Sequence, residues 1–207
     1  YSRGAWLAFL VSFFLFLLFL HKGFMKISVI GVFALPFLPM VLPASIVNRL
    51  LSIGNMADSS TAYRVNIWVG TMRMLKDYWL TGIGTGTDIF LSVYPSYALS
   101  SAAYAQHPHN LYLHVLAELG IMGFICLLCV ILLYFKRILS SAQNVKDRDT
   151  KLFLLALGAG IFAFLLQGLT DNVWYNYRIF LIFWSLLGLA VGIYRGYQLE
   201  WGRVDEY

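Results

Sequence analysis

The chain has 207 residues, of which 60% are apolar and only 12% charged, with a mean hydropathy of +0.72 and a formal charge of +5. A soluble domain carries roughly twice that charged fraction, so a single aqueous core is excluded and lipid is the solvent this surface needs. The basic residues lie in short loops beside apolar runs, where the positive-inside bias accounts for them, and nucleic acid is not an expected partner.

A helix needs about 20 apolar residues to cross the hydrocarbon core, and its backbone groups must bond within the segment. Five segments meet that demand: residues 5–20, 27–47, 111–135, 152–169 and 179–194. The expected fold is therefore an all-α integral membrane protein with about five transmembrane helices and an external loop carrying an amphipathic helix. The expected division is two crossings in residues 1–47, an external segment 48–110, three crossings in 111–194 and a cytoplasmic tail 195–207.

The first apolar run starts at Trp6, with no charged region before it and no small-residue cleavage site after it. It reads as a crossing rather than a signal peptide, and further residues are expected upstream of Tyr1. The second crossing contains Pro36, Pro39 and Pro43 on roughly one side, which predicts a bent helix. Lys22, Lys26, Lys136, Arg137, Lys146, Arg148, Lys151, Arg195 and Arg203 fall on one side of the membrane. The opposite side has Arg3, Arg49, Arg64, Arg73, Lys76 and Arg178 spread over many more residues, so the first side is expected to be cytoplasmic.

A loop as long as 48–110 is uncommon unless it is functional or folded in itself. Asp58, Ser59 or Ser60 can cap a helix over residues 61–78. Arg64, Trp68, Thr71 and Leu75 share one of its faces at three- and four-residue steps, and Trp68, Tyr78 and Trp79 are candidate interface anchors. Arg64 lies on the apolar-aromatic face, where either a bound anion or contact with Trp68 explains it. Thr81-Gly82-Ile83-Gly84-Thr85-Gly86 matches neither phosphate-loop pattern; alternate glycines here predict a tight turn or a close approach of backbone.

The external segment ends in Gln106-His107-Pro108-His109-Asn110. Asn110, His114 and Glu118 follow at steps of four and are expected to stack on one face. Polar groups at a membrane helix end need a wet cavity or a partner, so a His114–Glu118 pair is one reading and a functional site the other. His107, His109, His114 and Glu118 lack the HExxH spacing of metalloproteases, and no metal is expected. Cys126 and Cys129, inside the third crossing, are read as packing residues. In the loop after the fourth crossing, Asp171 is a candidate partner for Arg178.

These pieces together resemble the C-terminal half of the O-antigen ligase/polymerase-like membrane proteins. The matching residues are Ser2-Arg3-Gly4, Arg64 with Trp68, Gly82-Ile83-Gly84-Thr85-Gly86, His109-Asn110-Leu111-Tyr112-Leu113, Glu118-Leu119-Gly120-Ile121-Met122-Gly123 and Asp171-Asn172. The resemblance implies a bacterial cytoplasmic-membrane enzyme, independent of metals and cofactors, working on the outward face. Such an enzyme moves a glycan from an undecaprenyl diphosphate carrier to a lipid or polysaccharide acceptor. It also implies His109 as the catalytic residue and Arg64 and Arg3 as ligands of the diphosphate; Asn110, Glu118, Gly84 and Gly86 are read beside them as supporting residues. A non-enzymatic transporter or flippase of lipid-linked saccharide is the competing reading.

Overall fold

A computed structural model describes residues 2–20, 24, 40, 43–51 and 57–201. Among them the chain is all-helical. The α-helices are α1 (Arg3–Leu20), α2 (Ala44–Leu51), α3 (Ser59–Tyr78), α4 (Thr87–Val93), α5 (Leu111–Asn144), α6 (Arg148–Gln167) and α7 (Tyr177–Trp201). Two short 3₁₀ turns, Tyr94–Ser96 and Ser100–Ala102, lie between α4 and α5. Helices α1, α5, α6 and α7 are long and apolar enough to cross a membrane. The crossing expected over residues 27–47 falls for the most part outside the described residues.

α1 packs on α6 through a stripe of small residues. Gly4, Ala8 and Ser12 recur at steps of four, and Ala8 and Ser12 are buried. A methyl group at Gly4 would overlap Thr170 Oγ1 and come within 2.9 Å of Gln167 Oε1. Close backbone approach of this kind is what drives helix association in lipid, where the hydrophobic effect gives no advantage.

The main core joins α5, α6 and α7 through Leu111, Val115, Leu127, Ile138, Leu154, Ile161, Leu165 and Phe183. α5 runs nine residues past the expected end at Phe135. Its last turns keep an inward stripe, with Ile138, Ser141 and Ala142 buried. Cys126 and Cys129 are free thiols on exposed faces of this helix.

A second core holds a cap over one end of the bundle. α3 buries Ile67, Gly70, Thr71, Met74 and Leu75 against Phe90, Tyr94, Ala102 and Ala117. This spacing is one face of a helix. Of the expected anchors, Trp79 is exposed, whereas Tyr78 packs edge-on against Tyr97 with ring centres 6.3 Å apart. Trp68 is half-buried, with its indole nitrogen enclosed.

The cap is stitched to α5 where that helix breaks. Gly120 has φ +63 and ψ −169 inside α5, which leaves neighbouring backbone groups without helical partners. The chain at 79–84 takes them up: Ile83 N–H donates to Ala117 O at 2.8 Å, Gly84 N–H to Glu118 O at 3.0 Å, and Ile121 N–H to Trp79 O at 2.8 Å. A side chain on Gly120 would strike the Leu80 carbonyl, and one on Gly82 would strike the Glu118 carbonyl. Close backbone approach thus holds for this loop, with Gly82 and Gly120 making it.

Candidate active site

The site is built where α5 begins and α6 ends. Asn110 caps α5, its side-chain oxygen accepting from Leu113 N–H at 2.9 Å, a contact that stabilises a helix end by about 1 kcal/mol. Its amide nitrogen donates to Leu169 O at 2.8 Å. Leu111 N–H donates to Gly168 O at 2.7 Å, and Tyr112 Oη donates to Leu165 O at 3.0 Å. These bonds bring the residue before the cap, His109, beside the residues after α6.

There His109 Nδ1 lies 3.0 Å from Asp171 Oδ1, and Arg64 of α3 lies 3.8 Å from Asp171 Oδ2. All three side chains are between 28% and 33% exposed, so the cluster remains open to a ligand. The loop that offers Asp171 is set by Asn172, which is buried and accepts from Trp174 N–H at 3.2 Å. Burial raises the Asp171 carboxyl, but the His109 hydrogen bond and the charges of His109 and Arg64 outweigh it and hold it below the usual carboxylate range.

His107 packs against the same imidazole. Its ring centre is 4.1 Å from that of His109 and 4.2 Å from that of Tyr175, and Tyr63 approaches His109 edge-on at 6.3 Å. Burial and the neighbouring His109 charge push His107 down to about 4, against partial opposition from Asp171.

Arg3 lies elsewhere in this corner. Its guanidinium donates to Asp58 Oδ2 at 2.7 Å. Asp58 is the cap of α3, accepting from Thr61 N–H at 3.0 Å and Thr61 Oγ1 at 2.9 Å. The Arg3 hydrogen bond holds its carboxyl below the ordinary value. Arg64 is six residues along the same helix, a rise of about 9 Å. Arg64 and His109 therefore share one carboxylate, while Arg3 binds a different one.

The supporting residues form a separate unit. His114 Nε2 and Glu118 Oε2 are 3.5 Å apart, and Glu118 Oε1 accepts from Gly86 N–H at 2.9 Å. Gly84 and Gly86 both have positive φ, +97 and +123. Asn110 does not stack with this pair. As the cap it has an extended backbone, φ −158, which takes it off the helical face.

One expectation is corrected outright. Asp171 pairs with His109 and Arg64, not with Arg178, whose side chain is exposed. His109 takes that place because the bonds between α5 and α6 deliver its imidazole to the loop that carries Asp171. Asp171, His107 and Tyr175 were the residues that sequence reasoning left out of the site. The available signal for Asp171 was an acid in a short loop on the same side as His109.

For metal, the described residues bring one ligand atom each of His107, His109 and Asp171 within 4.8 Å. That is not the His107–His109–His114–Glu118 set. The Nδ1 atoms of both histidines have partners, a state in which an imidazole can still ligate through Nε2, whereas the Arg64 cation beside Asp171 opposes a dication there.

The family model described as O-antigen ligase matches residues 1–128, more than half of the chain. The chain belongs to the O-antigen ligase family. Membership implies a membrane protein that transfers a lipid-linked glycan. The matched stretch carries Arg3, Arg64, Gly84, Gly86, His109, Asn110 and Glu118, whereas Asp171 and Tyr175 come from beyond it. Comparison with curated proteins gave no match.

An apolar groove of about 410 Å³ starts within a turn of the site in this O-antigen ligase family member. It runs between α1, α5 and α6, past Tyr112, Leu165, Ser12, Phe16, Gly158 and Phe135.

Proposed function

We propose that this protein transfers a glycan from an undecaprenyl diphosphate carrier to a lipid or polysaccharide acceptor. The reaction occurs at the outer face of the bacterial cytoplasmic membrane and needs no metal. The observation that carries the reading is the His109–Asp171–Arg64 cluster, with Arg3 at the same end of the bundle. With His109 Nδ1 donating to Asp171, Nε2 keeps a lone pair and can take the proton of an acceptor hydroxyl. Asp171 fixes the tautomer and balances the imidazolium that forms.

The acceptor oxygen then bonds to the anomeric carbon as the bond from that carbon to the diphosphate oxygen breaks. The electron pair leaves on undecaprenyl diphosphate, and the proton rests on His109. Arg64, only loosely held at 3.8 Å, turns toward the leaving diphosphate and stabilises its growing charge, a role suited to guanidinium. Arg3 is the second cation in reach of the same lipid. The apolar groove beside Tyr112 accommodates isoprenoid chain, and the Lys and Arg distribution favours the site end as outward.

The test uses the complete protein in liposomes, with undecaprenyl diphosphate-linked glycan as donor. His109→Ala and Arg64→Ala are expected to abolish transfer without loss of membrane insertion. Wild-type transfer by both variants would end the assignment. Product formation without an ion gradient separates transfer from transport, and loss of activity on chelation with recovery on added divalent metal would sink metal independence.

A further inference from the structure

The geometry points to His107 as a positioning residue for His109: its Nδ1 and its ring fix the neighbouring imidazole without contact with donor or acceptor. This rests on the reading of His109 as the base.

His109 is, among the described residues, the non-glycine residue with positive φ, at +48. A left-handed backbone is disfavoured for an ordinary side chain and persists only where its surroundings impose it. Pro108, fully buried, precedes it. Proline supplies no N–H and confines the residue before it to extended backbone. The first amide after His107 that can donate is therefore that of His109. It donates to His107 Nδ1 at 3.2 Å, closing a turn between residues i and i+2 as an Asn or Asp side chain does.

This bond also decides which imidazole is the base. His107 must present an unprotonated Nδ1 to accept it, and the residue is only 7% exposed. Burial keeps His107 uncharged, and the Asp171 carboxylate stands against His109 Nδ1 rather than against His107. The far side of the His107 ring is closed by the tilted ring of Tyr175, which donates to Gln106 Oε1 at 2.6 Å. Asp171 and Tyr175 belong to one loop, so that loop grips His109 directly through a carboxylate and indirectly through the His107 ring.

The test compares His107→Ala, which loses acceptor and ring, with His107→Asn, whose Oδ1 can accept the same i+2 amide. Release of undecaprenyl diphosphate is followed with the complete protein in liposomes. His107→Ala is expected to lower kcat about 100-fold, the effect of a reacting group displaced by about 1 Å, with donor KM within threefold. His107→Asn is expected to remain within tenfold of wild type. A loss below tenfold in the Ala variant, a loss expressed mainly in KM, or an Asn variant no better than Ala overturns the proposal. Should the Ala variant not fold, the Asn variant decides alone, and a loss above tenfold overturns it. His109→Ala in the same assay separates the two readings. If it transfers normally, the base assignment fails; if it is inactive while His107→Ala is normal, only the positioning role fails.

Discussion

His109 Nδ1 lies 3.0 Å from Asp171 Oδ1, across 62 residues of sequence and two helices. Replacing Asp171 by Asn keeps the shape but removes the negative charge and frees the tautomer. We expect kcat to fall by about 10²–10⁴-fold, the range of general acid–base catalysis, with donor KM little changed. Steady-state transfer by Asp171→Asn checks this, and an unchanged kcat would refute the dyad.

Arg64 is expected to resist substitution by lysine. A guanidinium reaches a carboxylate or diphosphate through two parallel donors, which an ammonium cannot reproduce. Arg64→Lys should retain less than about a tenth of wild-type kcat/KM toward the lipid-linked donor. Full activity in that variant would make Arg64 a simple point charge.

Gly82 and Gly120 should be the costly glycines of the cap. Each faces a carbonyl of the other segment, and both have positive φ. Gly82→Ala or Gly120→Ala is expected to lose about 2–4 kcal/mol, the scale of backbone strain with overpacking. Gly86→Ala meets open space and is expected to lose less. Thermal unfolding of the detergent-solubilised protein ranks them, and equal Tm values for the three would refute the stitched-kink account.

Acid should act on the cap through His107. Its folded value of about 4 lies below its ordinary 6.5, so between these the unfolded chain binds more protons and stability falls as pH drops. Asp171 behaves differently. Its lowered value contributes stability that is present above the ordinary 3.8 and is lost only as pH falls further, through the folded value. Unfolding temperature should therefore fall from pH 6.5 to 4, and His107→Asn should flatten that slope. Equal slopes in both proteins would refute it.

The helix cap at Asn110 offers a separable test. Asn110→Ser keeps a side-chain oxygen that can accept from Leu113 N–H without setting a carboxylate against Leu169 O, and Asn110→Ala loses both bonds. The Ala variant should be less stable by about 1 kcal/mol than the Ser variant, as measured by unfolding of the purified protein. A more stable Ala variant would show that the cap contributes nothing.

Sequence alone determined the all-helical membrane class, because long apolar runs have one way to satisfy their backbone in lipid. The family resemblance singled out His109, Arg64 and Arg3 as candidate site residues; the fold sets His109 and Arg64 on one carboxylate and Arg3 on another. Tertiary structure decided the partners. Asp171 and Arg178 lie in one short stretch of sequence, yet Asp171 meets His109 because Leu111 and Asn110 bond the carbonyls of Gly168 and Leu169. The break at Gly120 was equally hidden, because a glycine in an apolar run reads as helix until another backbone comes close enough to require it. Local periodicity records which face a residue occupies, whereas hydrogen bonds between distant ends of helices depend on how those ends are brought together.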